Sequence, residues 1–146
     1  MAVNPIPDNY PRVIPYLIIK DVVKMQQFLK DVFDAIIIET MALADGTVNH
    51  GEVRIGDSVI MMGKASDDYP PKPSMIYIYV EDVDAIFKKA ISLGAKSIME
   101  PADMFYGDRN GGFEDEQGIS WWVASHIKDV SKEEMQKLNA ERAKQK

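Results

Sequence analysis

The sequence predicts an α+β fold built from two βαβββ modules, with helices on the outer side of the sheets. Three observations carry this. "LIIKDVVKMQQFLKDVFDAIIIE" (17–39) and "IYVEDVDAIFKKAISLGAKSIME" (78–100) repeat one pattern of apolar strand, Asp-Val, amphipathic helix and second strand. Two further strand-like segments follow each unit. A polar, Pro-rich linker, "KASDDYPPKPS" (64–74), separates the halves. Each helix has one apolar stripe to bury, which places it against a sheet. Neither half holds enough core by itself, so the expected arrangement is one domain over residues 1–130. Module one covers about 10–63, module two about 74–127, and 131–146 form a helical tail.

The elements follow in order. Residues 17–19 are an apolar run, and Asp21 after it suits a helix N-cap, where a carboxylate accepts a free first-turn amide. Val22, Met25, Leu29, Val32 and Phe33 recur at helical spacing. "TVNHGEVRIG" and "SVIMMG" then read as strands joined at Gly56-Asp57. In the second half Asp82 is the matching cap, and Val83, Ile86, Phe87, Ala90 and Ile91 form the matching stripe. Gly94 supplies a C-terminal stop. "GDRNGGFEDE" and "ISWWVASH" are joined around Gln117-Gly118. Gly107-Asp108 and Asn110-Gly111-Gly112 offer turn chemistry and close backbone approach, and Asp115 to Gly118 form a second turn. The tail opens on a capping box, Ser131 with Glu134, and carries little apolar surface beyond Met135 and Leu138.

Composition narrows the function classes. The chain has no cysteine, which removes disulfides, thiolate metal sites and a Cys nucleophile, and fits a cytoplasmic location. The net charge of −6 opposes general binding to a phosphate backbone. No apolar run is long enough to span a bilayer, and the N-terminus has no secretory pattern. "GDRNGG" lacks the strand and helix context of a dinucleotide site, and there is no P-loop. No cofactor is expected.

Together with the repeat, "YPRVIPYLIIKD", "NHGEVRIGDSVIMM", "YIYVEDVDAIF" and "MFYGDRNGGFEDEQG" followed by Trp resemble the vicinal oxygen chelate superfamily over about residues 10–128. Its members include glyoxalase I, bleomycin-resistance proteins, fosfomycin-resistance enzymes and extradiol dioxygenases. The strings are most similar to its PhnB-like branch. The resemblance implies a cleft-lined sheet and, in many members, one divalent metal held on the inward faces. Transferred residue by residue, its ligand positions fall on Ile14, Ile60, Met75 and Trp122. None offers the carboxylate or imidazole that such ions need, so no bound metal is expected. A register shift of one gives Pro15, Met61, Ser74 and Trp121, which is no better.

Strand alternation sorts the remaining side chains. Tyr16, Met75, Tyr77, Tyr79, Ser120 and Trp122 are expected on the cleft face, with Tyr106 and Arg109 reaching its rim. Aromatic walls with hydroxyl tips suit planar or apolar ligands, and an arginine fork suits an anionic end. The bland alternatives are that the aromatics only pack the modules and that Arg109 pairs with Glu114 or Asp115. His50, Glu52 and Arg54 share one strand face, and His50 with Glu52 is a candidate acid/base pair. Its alternative is a structural histidine beside solvated charges. His126 is expected to be exposed.

Three functions follow as hypotheses. The first is a metal-independent binder of a small molecule with an apolar or planar body and, in one form of the hypothesis, an anionic end. The second is a glyoxalase- or dioxygenase-like enzyme using His50 and Glu52. The third is a PhnB-like interaction module. The resemblance also implies a homodimer that covers open sheet edges.

Overall fold

A computed structural model describes residues 2–145 of the chain. It divides into two compact units, Met1–Pro73 and Ser74–Lys146. The first contains β1 (Tyr16–Ile19), α1 (Val22–Phe33), β2 (Ile36–Ala42), β3 (Val48–Ile55) and β4 (Ser58–Lys64). The second contains β5 (Ser74–Tyr79), α2 (Val83–Ser92), β6 (Lys96–Asp103), β7 (Asp108–Glu114) and β8 (Ile119–His126). A final helix, α3 (Lys132–Ala143), follows in the same unit. This is the expected α+β pattern of strand, helix and three strands, twice.

Each unit holds one four-stranded mixed sheet, ordered β1-β4-β3-β2 in the first and β5-β8-β7-β6 in the second. The only parallel pairs among the described strands are β1 with β4 and β5 with β8. The helix that follows the first strand of each unit provides the crossover such a sheet requires. Asp21 and Asp82 cap α1 and α2 as expected, accepting from the amides of Lys24 at 3.0 Å and Ala85 at 3.1 Å. Ser131 accepts from the Glu134 amide at 3.2 Å at the start of α3. Gly94 takes the left-handed conformation (φ 101°) after α2. α1 ends instead on a non-glycine residue in that region, Asp34 (φ 54°), which the sequence pattern did not signal.

The core of the first unit joins Leu17 and Ile19 to Val22, Met25, Leu29 and Val32 of α1, with Val53 and Met62. In the second unit Trp121, Phe113, Ile119 and Val123 are fully buried, with Val83 and Ala90 of α2. Phe87 meets Phe113 edge-on at 6.3 Å. Buried Asp115 anchors the β7–β8 turn. One carboxylate oxygen accepts from the Gln117 and Ile119 amides, and the other from Trp121 Nε1 at 2.7 Å. The polar run before the tryptophans is therefore a structural hairpin at this end. Asn110, Gly111 and Gly112 correct the expectation of a turn: they lie inside β7. Their glycines serve close approach, since a Cβ on Gly112 would sit 2.8 Å from the Trp122 ring.

No described helix is long and apolar enough to cross a membrane.

Candidate functional site

In the first unit, pairing sets one face of the sheet. Tyr16 and Glu52 both pair with Met61, and His50 pairs with Gly63, so these side chains share a face opposite the buried Leu17. They form a continuous hydrogen-bonded chain. Tyr10 donates to Glu52 Oε1 at 2.6 Å. Glu52 Oε2 lies 2.8 Å from His50 Nε2, and His50 Nδ1 lies 3.1 Å from the Tyr16 hydroxyl. Burial pushes the Glu52 carboxyl up, but the bonds from His50 and Tyr10 outweigh it and hold it below the ordinary range. The bond to Glu52 raises the Tyr10 phenol. The expected His50–Glu52 pair is thus in contact. Glu52 is buried rather than solvated, and Arg54 donates to the Asn9 carbonyl at 2.8 Å. Beside this chain a groove of about 390 Å³ is lined by Pro5, Pro7, Tyr10, Pro11, Ile14 and Met61 among others, with Arg12 also on its wall.

The second unit carries a related arrangement. Tyr16 and Tyr77 stand at equivalent places, each shortly before the capping aspartate of its module. Met75 pairs with Ser120 and Tyr77 with Trp122, so Met75, Tyr77, Tyr79, Ser120 and Trp122 lie on one face. Met75 and Tyr79 are 64% and 63% exposed and Tyr77 is 44% exposed, unusual for side chains of this size. Yet both phenols are fixed. They donate to the same oxygen of buried Asp108, at 3.0 Å from Tyr77 and 2.8 Å from Tyr79. His126 Nδ1 reaches the other Asp108 oxygen at 3.0 Å, and its Nε2 reaches Asp129 at 2.7 Å. Asn110 donates to the hydroxyls of Tyr77 and Tyr106. Burial pushes the Tyr77 phenol up to about 12, and Asp108 raises Tyr79 through its hydrogen bond.

Arg109 corrects the expectation made for it. It lies one residue out of phase with Asp108 and Asn110, on the face that carries α2. Its guanidinium grips both oxygens of Asp84 on α2 at 2.8 Å and reaches Asp103 at 3.0 Å. Neither Glu114 nor Asp115 is its partner in these bonds. The fork is committed to structure on the far side from Tyr77. Ile60 also moves: it pairs with Val53 in the helix-side core, and Met61 takes the tyrosine face.

The residues that sequence reasoning missed are Tyr10, Gly63, Asp108, Asn110 and His126. The internal repeat contained one usable signal. With Tyr77 matched to Tyr16, the β3 position of His50 matches Asn110, and each pairs with the hydroxyl of its module's tyrosine. The sequence pattern marks Asp108 only as a turn residue because its partners come from two other strands, β5 and β8.

The donor set does not fit a divalent metal. Ile14, Met61, Met75 and Trp122 offer neither carboxylate nor imidazole. His50 and Glu52 bind each other and two tyrosines. Among the described residues, no group of three or more His, Cys, Asp or Glu side chains is placed to hold an ion.

Comparison with known proteins adds the following. Residues 12–123 match the model of the Glyoxalase/Bleomycin resistance protein/Dioxygenase superfamily. The chain is 28% identical over 140 residues to an uncharacterized protein of Mycobacterium bovis, covering 86% of this chain and 90% of that one. An uncharacterized protein of Mycobacterium tuberculosis H37Rv has the same identity, with 86% and 81% covered. Among solved structures, TioX from Micromonospora sp. ML1 superposes with a TM-score of 0.69 at 21% identity, covering 80% of this chain and 99% of that one. The fosfomycin resistance protein FosX from Listeria monocytogenes gives 0.58 at 18% identity, with 85% and 96% covered. At these identities the structures speak to fold alone.

Proposed function

This chain belongs to the Glyoxalase/Bleomycin resistance protein/Dioxygenase superfamily, and on that premise we propose that it binds a small organic molecule without a divalent metal. The site is the tyrosine-bearing face of the second unit's sheet. One observation carries the reading. Tyr77 and Tyr79 are exposed yet held in place through Asp108, beside Met75 and Trp122. Aromatic rings ordered before binding lose little freedom on contact, so they favour a planar or apolar partner. The apolar residues at the metal-ligand positions support binding over metal chemistry. The anionic ligand end loses its support, because Arg109 faces α2. The remaining polar groups on this face, Ser120, Asn110 and the Asp108–His126 pair, set orientation instead. A homodimer and kinship with the PhnB-like branch stay part of the proposal; light scattering decides the first.

The test uses the neutral planar fluorophore N-phenyl-1-naphthylamine as probe. Removing an indole from a binding surface removes about 1.5–3 kcal/mol of apolar contact, or roughly ten- to a hundredfold in affinity. Trp122→Ala should weaken probe binding by that factor, while Arg109→Ala should leave it unchanged. Equal affinity of Trp122→Ala and the parent chain would remove this face from consideration.

A further inference from the structure

The first unit contains a device that a binding function does not use. Glu52 as a carboxylate can only accept, so the 2.8 Å contact requires the proton on His50 Nε2. In the neutral ring Nδ1 then presents a lone pair to the Tyr16 hydroxyl at 3.1 Å. The order is base-orienting carboxylate, imidazole and ionisable hydroxyl, with Tyr10 fixing the second carboxylate oxygen at 2.6 Å. Tyr16 is half exposed, so the chain ends at solvent. Its reach depends on a glycine. Tyr16 is on β1 and His50 on β3, with β4 between them. The phenol crosses β4 over Gly63, where a Cβ would lie 2.8 Å from the hydroxyl.

We propose that Tyr16 is the working end of a proton relay, Tyr16–His50–Glu52, acting on a ligand whose C–H or O–H is acidified by a neighbouring carbonyl. The ligand proton passes to the Tyr16 oxygen as the phenol proton passes to His50 Nδ1. The bonding pair stays on the ligand, and the imidazolium is held by Glu52. Reversal returns the proton. Met61, the cross-strand neighbour of both Tyr16 and Glu52, also lines the Pro-rich groove, which gives the ligand body an apolar seat.

The same activation makes Tyr16 a nucleophile, which can be read without knowing the ligand. Benzenesulfonyl fluoride forms an O–S bond with an activated phenol; the S–F bond breaks, fluoride leaves with its electrons, and His50 takes the proton. Peptide mass spectrometry should show Tyr16 labelled about a hundredfold faster than exposed Tyr69 in the same sample, the low end of what a positioned general base supplies. His50→Gln, which keeps hydrogen bonding but not basicity, should bring Tyr16 to the Tyr69 rate. Gly63→Ala should do the same by displacing only the phenol, with far-UV circular dichroism unchanged. Tyr16 reacting no faster than Tyr69, or a rate unaffected by His50→Gln, would overturn the relay. Neither result touches the binding proposal, which concerns the other unit.

Discussion

Trp121→Phe tests the account of the β7–β8 hairpin. The indole is fully buried and its Nε1 donates at 2.7 Å to Asp115, whose carboxylate also takes the amides of Gln117 and Ile119 at 2.8 and 3.1 Å. The substitution removes one of these three donors. A hydrogen bond to a charged group contributes about 1.5–3 kcal/mol. The smaller ring gives up apolar burial worth on the order of 1–2 kcal/mol at ~25 cal/mol per Å². The expected loss is therefore about 3–5 kcal/mol, a large share of the roughly 5–15 kcal/mol that holds an ordinary domain. Urea unfolding followed by far-UV circular dichroism should show the midpoint falling by at least about 1 M with the slope unchanged, for a slope of ~1–3 kcal/mol per M. A double-mutant cycle with Asp115→Asn separates the two contributions. In the asparagine variant an amide can face the indole N–H, donor against donor, so the pair should couple by at least about 1 kcal/mol. Coupling indistinguishable from zero would refute the claim that the carboxylate and indole act as a unit.

Two further outcomes follow. Asp129 and then Asp108 raise the His126 pKa above its ordinary 6.5, so its stabilisation is complete below that pH and disappears as pH rises through the folded-state value. Asp108 lies below 3.8 because bonds from His126, Tyr79 and Tyr77 outweigh the effect of burial; its contribution is complete above that pH and is lost as pH falls through the depressed value. Melting temperatures of the parent and His126→Ala should differ most near about pH 5–6 and converge by about pH 9; a constant gap would contradict this. Elemental analysis of purified protein should find less than about 0.1 divalent ion per chain, since two ligands committed to each other do not make a site; about one ion per chain, lost in His50→Ala, would reverse the donor-set argument.

Much of the architecture was written in local sequence. Asp21, Asp82 and Ser131 cap helices because a side-chain oxygen close in sequence meets amides that have no other partner. Alternation put Tyr77 and Trp122 on one face and Trp121 on the other, because neighbouring strand residues must point in opposite directions. The repeat disclosed two modules for the same reason: each local signal occurs twice. What local signals cannot carry is the relation between strands. Arg109 has the residue chemistry of an anion site, but its face follows from its register in β7, and its partner Asp84 belongs to a helix that only tertiary packing brings near. Asp108 draws Tyr77, Tyr79 and His126 together from β5 and β8 across distances in sequence that no periodicity records. The Tyr16–His50 contact needed a glycine on the strand between them, and the function of that glycine exists only once three strands lie side by side. Periodicity fixes which way a side chain points; only the pairing of strands decides what it meets.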